Sequence, residues 1–326
     1  MRFRRLIIGD NHVLSNYAVM PLNFTLTSGQ QIRPAKGFQE WVSHKWMDFC
    51  HLTGVPSQII YMGDLTEGFC EKTAGVGIWS ADKDDALNAF KLLHLILTHG
   101  KDIETYVVQG TGYHSGSQRG INLDKECANE INADYRMVLP LEKDGRLDQF
   151  AHQSGGVSLK NADTGIKNEI DFAENNSGKY GYPLPNNIWR GHIHRYALRG
   201  DDKVTAIQVP CWEGTTPYMA RKTSFIVPSI GGIVQDFNEK KLEPSIRKII
   251  FDIPQDIAIG FNEVELLRIE KNRFEAESIK GIERELRTPT LRLETITANK
   301  REEGKCLTSK SIQSNRKTIG KHLPPS

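Results

Sequence analysis

The strongest constraint on how this chain folds is a repeated local pattern, a short apolar run that ends at a glycine. Four such segments stand out: RLIIGD at 5–10, QIIYMGD at 58–64, TYVVQG at 105–110 and NIWRGH at 187–192. Each has the length of a buried strand, and glycine closes each one. Three of the four present Asp or His directly after that glycine. Helical stretches lie between the first three runs. FQEWVSHKWMDFCHL (38–52) places Phe38, Trp41, Val42, Phe49 and Leu52 roughly on one face, with Gly54 as its stop. DDALNAFKLLHLILTH (84–99) has acids at its start and Gly100 past its end, as the helix dipole and the C-cap preference favour. Alternation of strand and helix predicts parallel βαβ units. In open sheets of that kind ligands gather at the carboxyl ends of the strands. The polar residues behind the glycines would converge there.

After His194 the character changes. VTAIQVPCW, TSFIVPSIGGIVQDF and IRKIIFDI read as strands, and VELLRI and FEAESI flank EKNR as a hairpin. The folded domain is expected over residues 1–286. Residues 287–326, rich in Thr, Lys, Arg and Ser, read as a basic, mobile tail. Of the chain's net charge of +2, that tail carries +6 and the remainder −4. A mildly acidic body with a basic tail suits contact with DNA or RNA, or a solvated terminus. Hydrophobic content of 38 % and charged content of 25 % mark an ordinary globular protein. No apolar run approaches the roughly 20 residues of a membrane span. The opening MRFRRLIIGD has too few apolar residues for a signal peptide, so a cytoplasmic location is expected. The five cysteines, Cys50, Cys70, Cys127, Cys211 and Cys306, are widely spaced, as reduced thiols would be.

The glycine-ended loops supply Asp10 and His12 from GDNH, Asp64 and Glu67 from GDLTEG, His114 from GTGYHSG, and His192 and His194 from GHIH; His152 lies in FAHQSGG. Carboxylates and imidazoles from separate loops form a mixed oxygen and nitrogen set. That set suits Mn, Fe, Zn, Co or Ni better than Ca or Mg. A carboxylate between two such ions would bridge them at about 3.5–4 Å, with a bridging hydroxide as nucleophile at neutral pH.

D-x-H, G-D-x-x-E, a later G…H loop, a lone His before a Gly-rich stretch and G-H-x-H, in that order over roughly residues 4–240, resemble the calcineurin-like metallophosphoesterases. The nearest look is to phage and microbial phosphoesterases of the DNA-repair exonuclease type. The resemblance implies an α/β fold, a four-layer αββα sandwich of two mixed β-sheets flanked by helices. It implies two divalent metals, Mn first among them. Asp10, His12 and His194 would bind one, His152 and His192 the other, and Asp64 would bridge. His114 would be the acid near the leaving group. GHIH would then be a loop that divides its two imidazoles between the metals.

The chain departs from that family in its third loop. Where the family has G-N-H-D or G-N-H-E, this chain reads Gly110-Thr111-Gly112-Tyr113-His114. Either Thr111 replaces the Asn ligand, or the longer loop brings His114 itself near the metal. Glu67 would orient a ligand or serve as a helix N-terminal acid, and Asn11 would touch phosphate or cap the turn. Trp212, Tyr218 and Arg221 would stack on nucleic acid or serve core and surface. The arginine clamps of the Ser/Thr protein phosphatases are missing from both loops, which favours a phosphodiester, plausibly in nucleic acid. The competing expectations are a non-catalytic metal-binding scaffold of the same fold and a phosphomonoesterase.

Overall fold

A computed structural model of the chain describes residues 3–68, 77–112, 114, 122–153, 164–200, 202–216, 227–238 and 244–258. The chain divides into two units, Met1–Leu266 and Leu267–Ser326, and the description below concerns the first. The expected domain boundary, the tail, the EKNR hairpin, Tyr113, Tyr218 and Arg221 lie outside the described residues.

All four glycine-closed runs are strands. Strand β1 (Phe3–Ile8) is followed by a small ribbon of β2 (Phe24–Thr25) and β3 (Gln31–Ile32), then by helix α1 (Phe38–Thr53), β4 (Gln58–Tyr61), α2 (Lys83–Thr98) and β5 (Glu104–Val108). Next come α3 (Leu123–Glu130), β6 (Asp134–Arg136), β7 (Val138–Lys143), β8 (Arg146–Ala151) and α4 (Thr164–Tyr180). The last strands are β9 (Asn187–Arg190), β10 (Ala197–Gly200), β11 (Thr205–Gln208), β12 (Ile230–Phe237) and β13 (Ser245–Phe251). Gly54 ends α1 with a left-handed φ of 60°, its N–H donating to the Cys50 carbonyl at 3.0 Å. Helix α2 starts one residue earlier than its acids suggested, capped by the Asp82 carboxylate on the Asp84 N–H at 2.8 Å. It ends at a left-handed C-cap, His99 (φ 54°), followed as expected by Gly100, also left-handed at φ 69°, whose N–H donates to the Leu95 carbonyl at 2.9 Å.

The six-stranded sheet has the order β13-β12-β1-β4-β5-β6, and the five-stranded sheet β10-β11-β9-β8-β7. β1, β4, β5 and β6 run parallel, while β12 and β13 join antiparallel. In the second sheet β8, β9 and β11 are parallel and the edges antiparallel. Ile7, Ile60, Val108 and Ile233 of the first sheet pack with Leu139, Phe150, Trp189 and Ile207 of the second. Their opposite faces are covered too. Leu6, Ile8, Ile59 and Val234 meet Val42, Trp46 and Phe49 of α1 and Phe90 and Leu93 of α2. Ile188 and Ala206 meet Ile166 and Ile170 of α4. The result is the four-layer αββα sandwich of two mixed sheets that the sequence led us to expect. Strands covered on both faces read as continuous apolar runs, which is why they were legible.

The stretch between 123 and 180 gave no such signal. The β7–β8 hairpin turns at Asp144 and Gly145, both left-handed at φ 52° and 73°. An Asp-Gly pair is the usual mark of such a turn, so a local cue was present. Helix α4 is mostly polar, and Gly165 and Ile166 are its buried residues. The cysteines Cys50, Cys127 and Cys211 are free and buried. Among the described residues no helix is long and apolar enough to cross a membrane.

Candidate metal centre

Asp10 and His12 follow the end of β1, Asp64 follows β4, His152 follows β8, and His192 and His194 follow β9, all within four residues. Parallel neighbours in each sheet thus bring their carboxyl ends to one place. The backbone there is unusual. Nine described non-glycine residues have positive φ, and Asp10 (45°), His12 (43°), Asp64 (50°), His192 (73°) and His194 (58°) are five of them. Such conformations cost on the order of 1–3 kcal/mol each and cluster where function requires them.

The donor atoms fall into groups. Those of Asp10, His12 and His194 all lie within 4.8 Å of one another, and so do those of Asp64, His152 and His192. His194 Nε2 is 3.2 Å from His12 Nε2 and 3.5 Å from Asp10 Oδ1. His152 Nε2 is 3.0 Å from Asp64 Oδ2 and 3.9 Å from Asp10 Oδ1, which ties the two groups together. The His192 N–H donates to both Asp10 oxygens at 3.1 Å. The His192 side chain is exposed, its ring 5.3 Å from that of His152.

These residues fit a divalent cation. His152 Nδ1 donates to the Met62 carbonyl at 2.6 Å, which turns Nε2 inward. Among the described residues neither that Nε2 nor His194 Nδ1 makes a hydrogen bond of proper geometry, although Asp64 Oδ2 and Glu213 Oε2 lie 3.0 and 3.8 Å away. An unsatisfied buried group costs about 1–3 kcal/mol, and a metal relieves it. Charge points the same way. Burial pushes the Asp10 and Asp64 carboxyls up, yet His152, together with His194 for Asp10 and with His114 and His12 for Asp64, holds both below the usual carboxylate range. Burial works against a charged His152, but Asp64 and Asp10 raise it to about 9. The cluster draws in positive charge, whether as protons or as metal.

Glu67 and His114 stand beside this set. Glu67 Oε2 is 2.8 Å from both His12 Nδ1 and His114 Nδ1, and the three residues form a third donor group. Burial would raise Glu67, but those two imidazoles bring it down to about 2. His114 is raised to about 9, with Glu67 outweighing burial. Thr111 turns toward Asp64: its N–H donates to Oδ1 at 2.6 Å and its hydroxyl lies 3.0–3.1 Å from both carboxylate oxygens. Asn11 is fully buried, and its amide has no partner among the described residues. Trp212 is core, edge-on to Trp46 and Phe49.

No protein-family profile matches the sequence, and no curated protein does. Solved structures are similar at low identity. A single mutant of Vps29 from Entamoeba histolytica is 12 % identical with a TM-score of 0.39, over 77 % of this chain and 100 % of that one. A structure described as a novel archaeal phosphodiesterase is 12 % identical with a TM-score of 0.36, over 76 % of this chain and 100 % of that one. A predicted phosphoesterase from Streptococcus pneumoniae is 10 % identical with a TM-score of 0.33, over 78 % of this chain and 94 % of that one. At such scores the sheet order and layers of the chain itself remain the basis for its fold.

Two buried acids escaped the sequence reading. Asp124, at the start of α3, accepts from the N–H groups of Gly110 at 2.8 Å, Leu65 at 3.0 Å and Asp64 at 3.3 Å, and so holds two site loops together. Burial and Asp64 push its carboxyl up to about 6. Glu213 accepts from the Ser15 hydroxyl at 2.7 Å and reaches within 3.6 Å of His12 Nε2 and 3.8 Å of His194 Nδ1. Its signal was an acid between Trp212 and Gly214 after a strand, one more polar residue at a strand end.

Proposed function

We propose that this chain is a metal-dependent hydrolase of phosphoric esters that acts on a phosphodiester. One observation carries the reading: two three-residue donor groups meet where both sheets end, joined by His152 between Asp64 and Asp10. When bound there, two divalent cations would supply Lewis acidity toward a phosphoryl oxygen and a nucleophile at neutral pH. Asp10, His12 and His194 would hold one ion, His152 and His192 the other, and Asp64 would serve both. Thr111 orients Asp64. His114 keeps its proton through Glu67 and gives it to the leaving oxygen; its side chain is 26 % exposed, so substrate reaches it.

The loops at 63–68 and 110–114 contain no arginine, so a monoester dianion would lack a clamp there, and a diester asks for less positive charge. The charge of the tail supports a nucleic acid as the diester. Mn suits the mixed oxygen and nitrogen donors.

The test is hydrolysis of bis(4-nitrophenyl) phosphate, with 4-nitrophenyl phosphate beside it, by Mn-loaded wild type and by Asp64→Asn. Diester turnover that disappears in the mutant is expected. Faster turnover of the monoester would move the substrate class. Two bound ions without turnover on either ester would overturn the enzyme and leave a metal-binding scaffold, the reading that the altered GTGYH loop favours.

A further inference from the structure

Each strand that ends in a candidate ligand carries a buried polar residue near its other end. Strand β1 has Arg5 before Asp10 and His12, β4 has Gln58 before Asp64, β8 has Asp148 before His152, and β9 has Asn187 before His192. These residues are neighbours in register: Arg5 lies opposite Gln58 and Gln235 in the first sheet, and Asp148 opposite Asn187 in the second. They meet across the sandwich. Arg5 Nη1 donates to Asp148 Oδ2 at 2.5 Å and to Gln235 Oε1 at 3.0 Å, and its Nε donates to Gln58 Oε1. Asn187 Nδ2 donates to Asp148 Oδ1 at 2.6 Å, and Gln235 Nε2 donates to Asp148 Oδ2 at 3.1 Å. All five side chains are at most 5 % exposed.

The next inward layer lies two residues along each strand. It consists of Ile7, Ile60, Phe150, Trp189 and Ile233, wholly apolar. Apolar contact is non-directional and tolerates sliding of one sheet over the other. A buried ion pair tied into five hydrogen bonds does not, because any other stacking strands a charge. The candidate centre needs this constraint, since Asp10, His12 and Asp64 come from one sheet and His152, His192 and His194 from the other. Metal donors must hold their distances within about 0.2 Å.

We propose that Arg5 and Asp148, with Gln58, Gln235 and Asn187, are positioning residues that set the stacking of the two sheets and thereby the fit of the metal site. This rests on the metal reading above. The residues touch neither metal nor substrate and act about five residues away, roughly 16 Å along the strands.

The test replaces the pair by apolar residues, Arg5→Met with Asp148→Leu, in the full chain. Exchanging a buried ion pair for apolar side chains commonly preserves stability. Here, however, the exchange also takes partners from the buried Gln58, Gln235 and Asn187 amides, and leaving buried polar groups unpaired is costly. The urea midpoint is therefore expected to fall, and affinity is read under conditions where the variant is folded. Mn affinity by calorimetry is expected to fall at least ~10-fold, the lower end for residues that support metal ligands. The proton NMR contact between the His12 and His194 rings, whose Nε2 atoms are 3.2 Å apart, should weaken. A folded variant with wild-type affinity and wild-type ring contact overturns the proposal. Should the double variant not fold, Gln235→Met, which removes one hydrogen-bonding arm, carries the same comparison. If wild type itself binds no Mn, the metal reading fails, and the ring contact alone still decides the stacking role.

Discussion

Replacing Gly110 by alanine tests how tightly the site is built. A Cβ on Gly110 would lie 2.2 Å from Asp64 Oδ1, 2.3 Å from the Asp64 backbone N and 2.7 Å from Asp124 Oδ2. Ordinary contact needs roughly 1 Å more, and a misplacement of that size can cost about 100-fold in rate. The strain cannot be absorbed by a flexible side chain, because backbone is among the atoms met. Gly63, on the far side, is equally constrained: its own Cβ would lie 2.6 Å from Gly110. The loop bearing Asp64 must therefore move, and overpacking of this kind costs about 1–3 kcal/mol. Gly110→Ala is expected to lower the urea midpoint and to reduce Mn-dependent diester hydrolysis about 100-fold. Gly145→Ala is the control. Gly145 has φ 73° with nothing within 4 Å of a new Cβ, so it carries only the left-handed penalty, about 1–2 kcal/mol, and keeps turnover. Wild-type turnover in folded Gly110→Ala would refute the close packing of this loop on Asp64.

Two further outcomes follow from individual side chains. His94 is buried beside the Tyr61 hydroxyl at 3.1 Å from Nδ1, and burial pulls it from 6.5 down to about 4. Its folded value is the lower one, so the unfolded chain takes up the proton first. The stability it contributes is complete above pH 6.5 and is lost as pH falls toward 4, by about 3 kcal/mol. Urea midpoints between pH 7.5 and 4.5 should fall more steeply in wild type than in His94→Gln, and equal slopes would sink the idea. His114→Ala is expected to reduce diester turnover by about 10²–10⁴-fold while Mn stoichiometry stays the same. Loss of bound metal in that variant would instead make His114 a ligand, as its group with His12 and Glu67 permits.

The fold was legible where strands are covered on both faces. Runs such as QIIY and NIWR are apolar throughout, and each stops at a glycine because the chain must turn into a crowded loop. Gly191 shows this directly, since a Cβ there would meet Asp10 Oδ2 and His152 Nδ1, both at 3.1 Å. Helix α4 was not legible, because one narrow stripe around Ile166 and Ile170 is all it packs against the sheet. The hairpin at Asp144-Gly145 was legible in principle, as its turn is a local property of two residues.

The sequence alone determined which residues stand at strand ends, since periodicity and glycine punctuation are local and survive without a fold. GDNH, GDLTEG and GHIH were therefore readable as ligand-bearing loops. Tertiary structure alone decided how those loops divide into donor groups and which imidazole nitrogens turn inward. It also turned Thr111 onto Asp64 and brought in Asp124 and Glu213. Those facts depend on contacts between residues 14 to 198 positions apart, such as Gly110 with Asp124 and Ser15 with Glu213. No local pattern records such distances; the stacking of two sheets does.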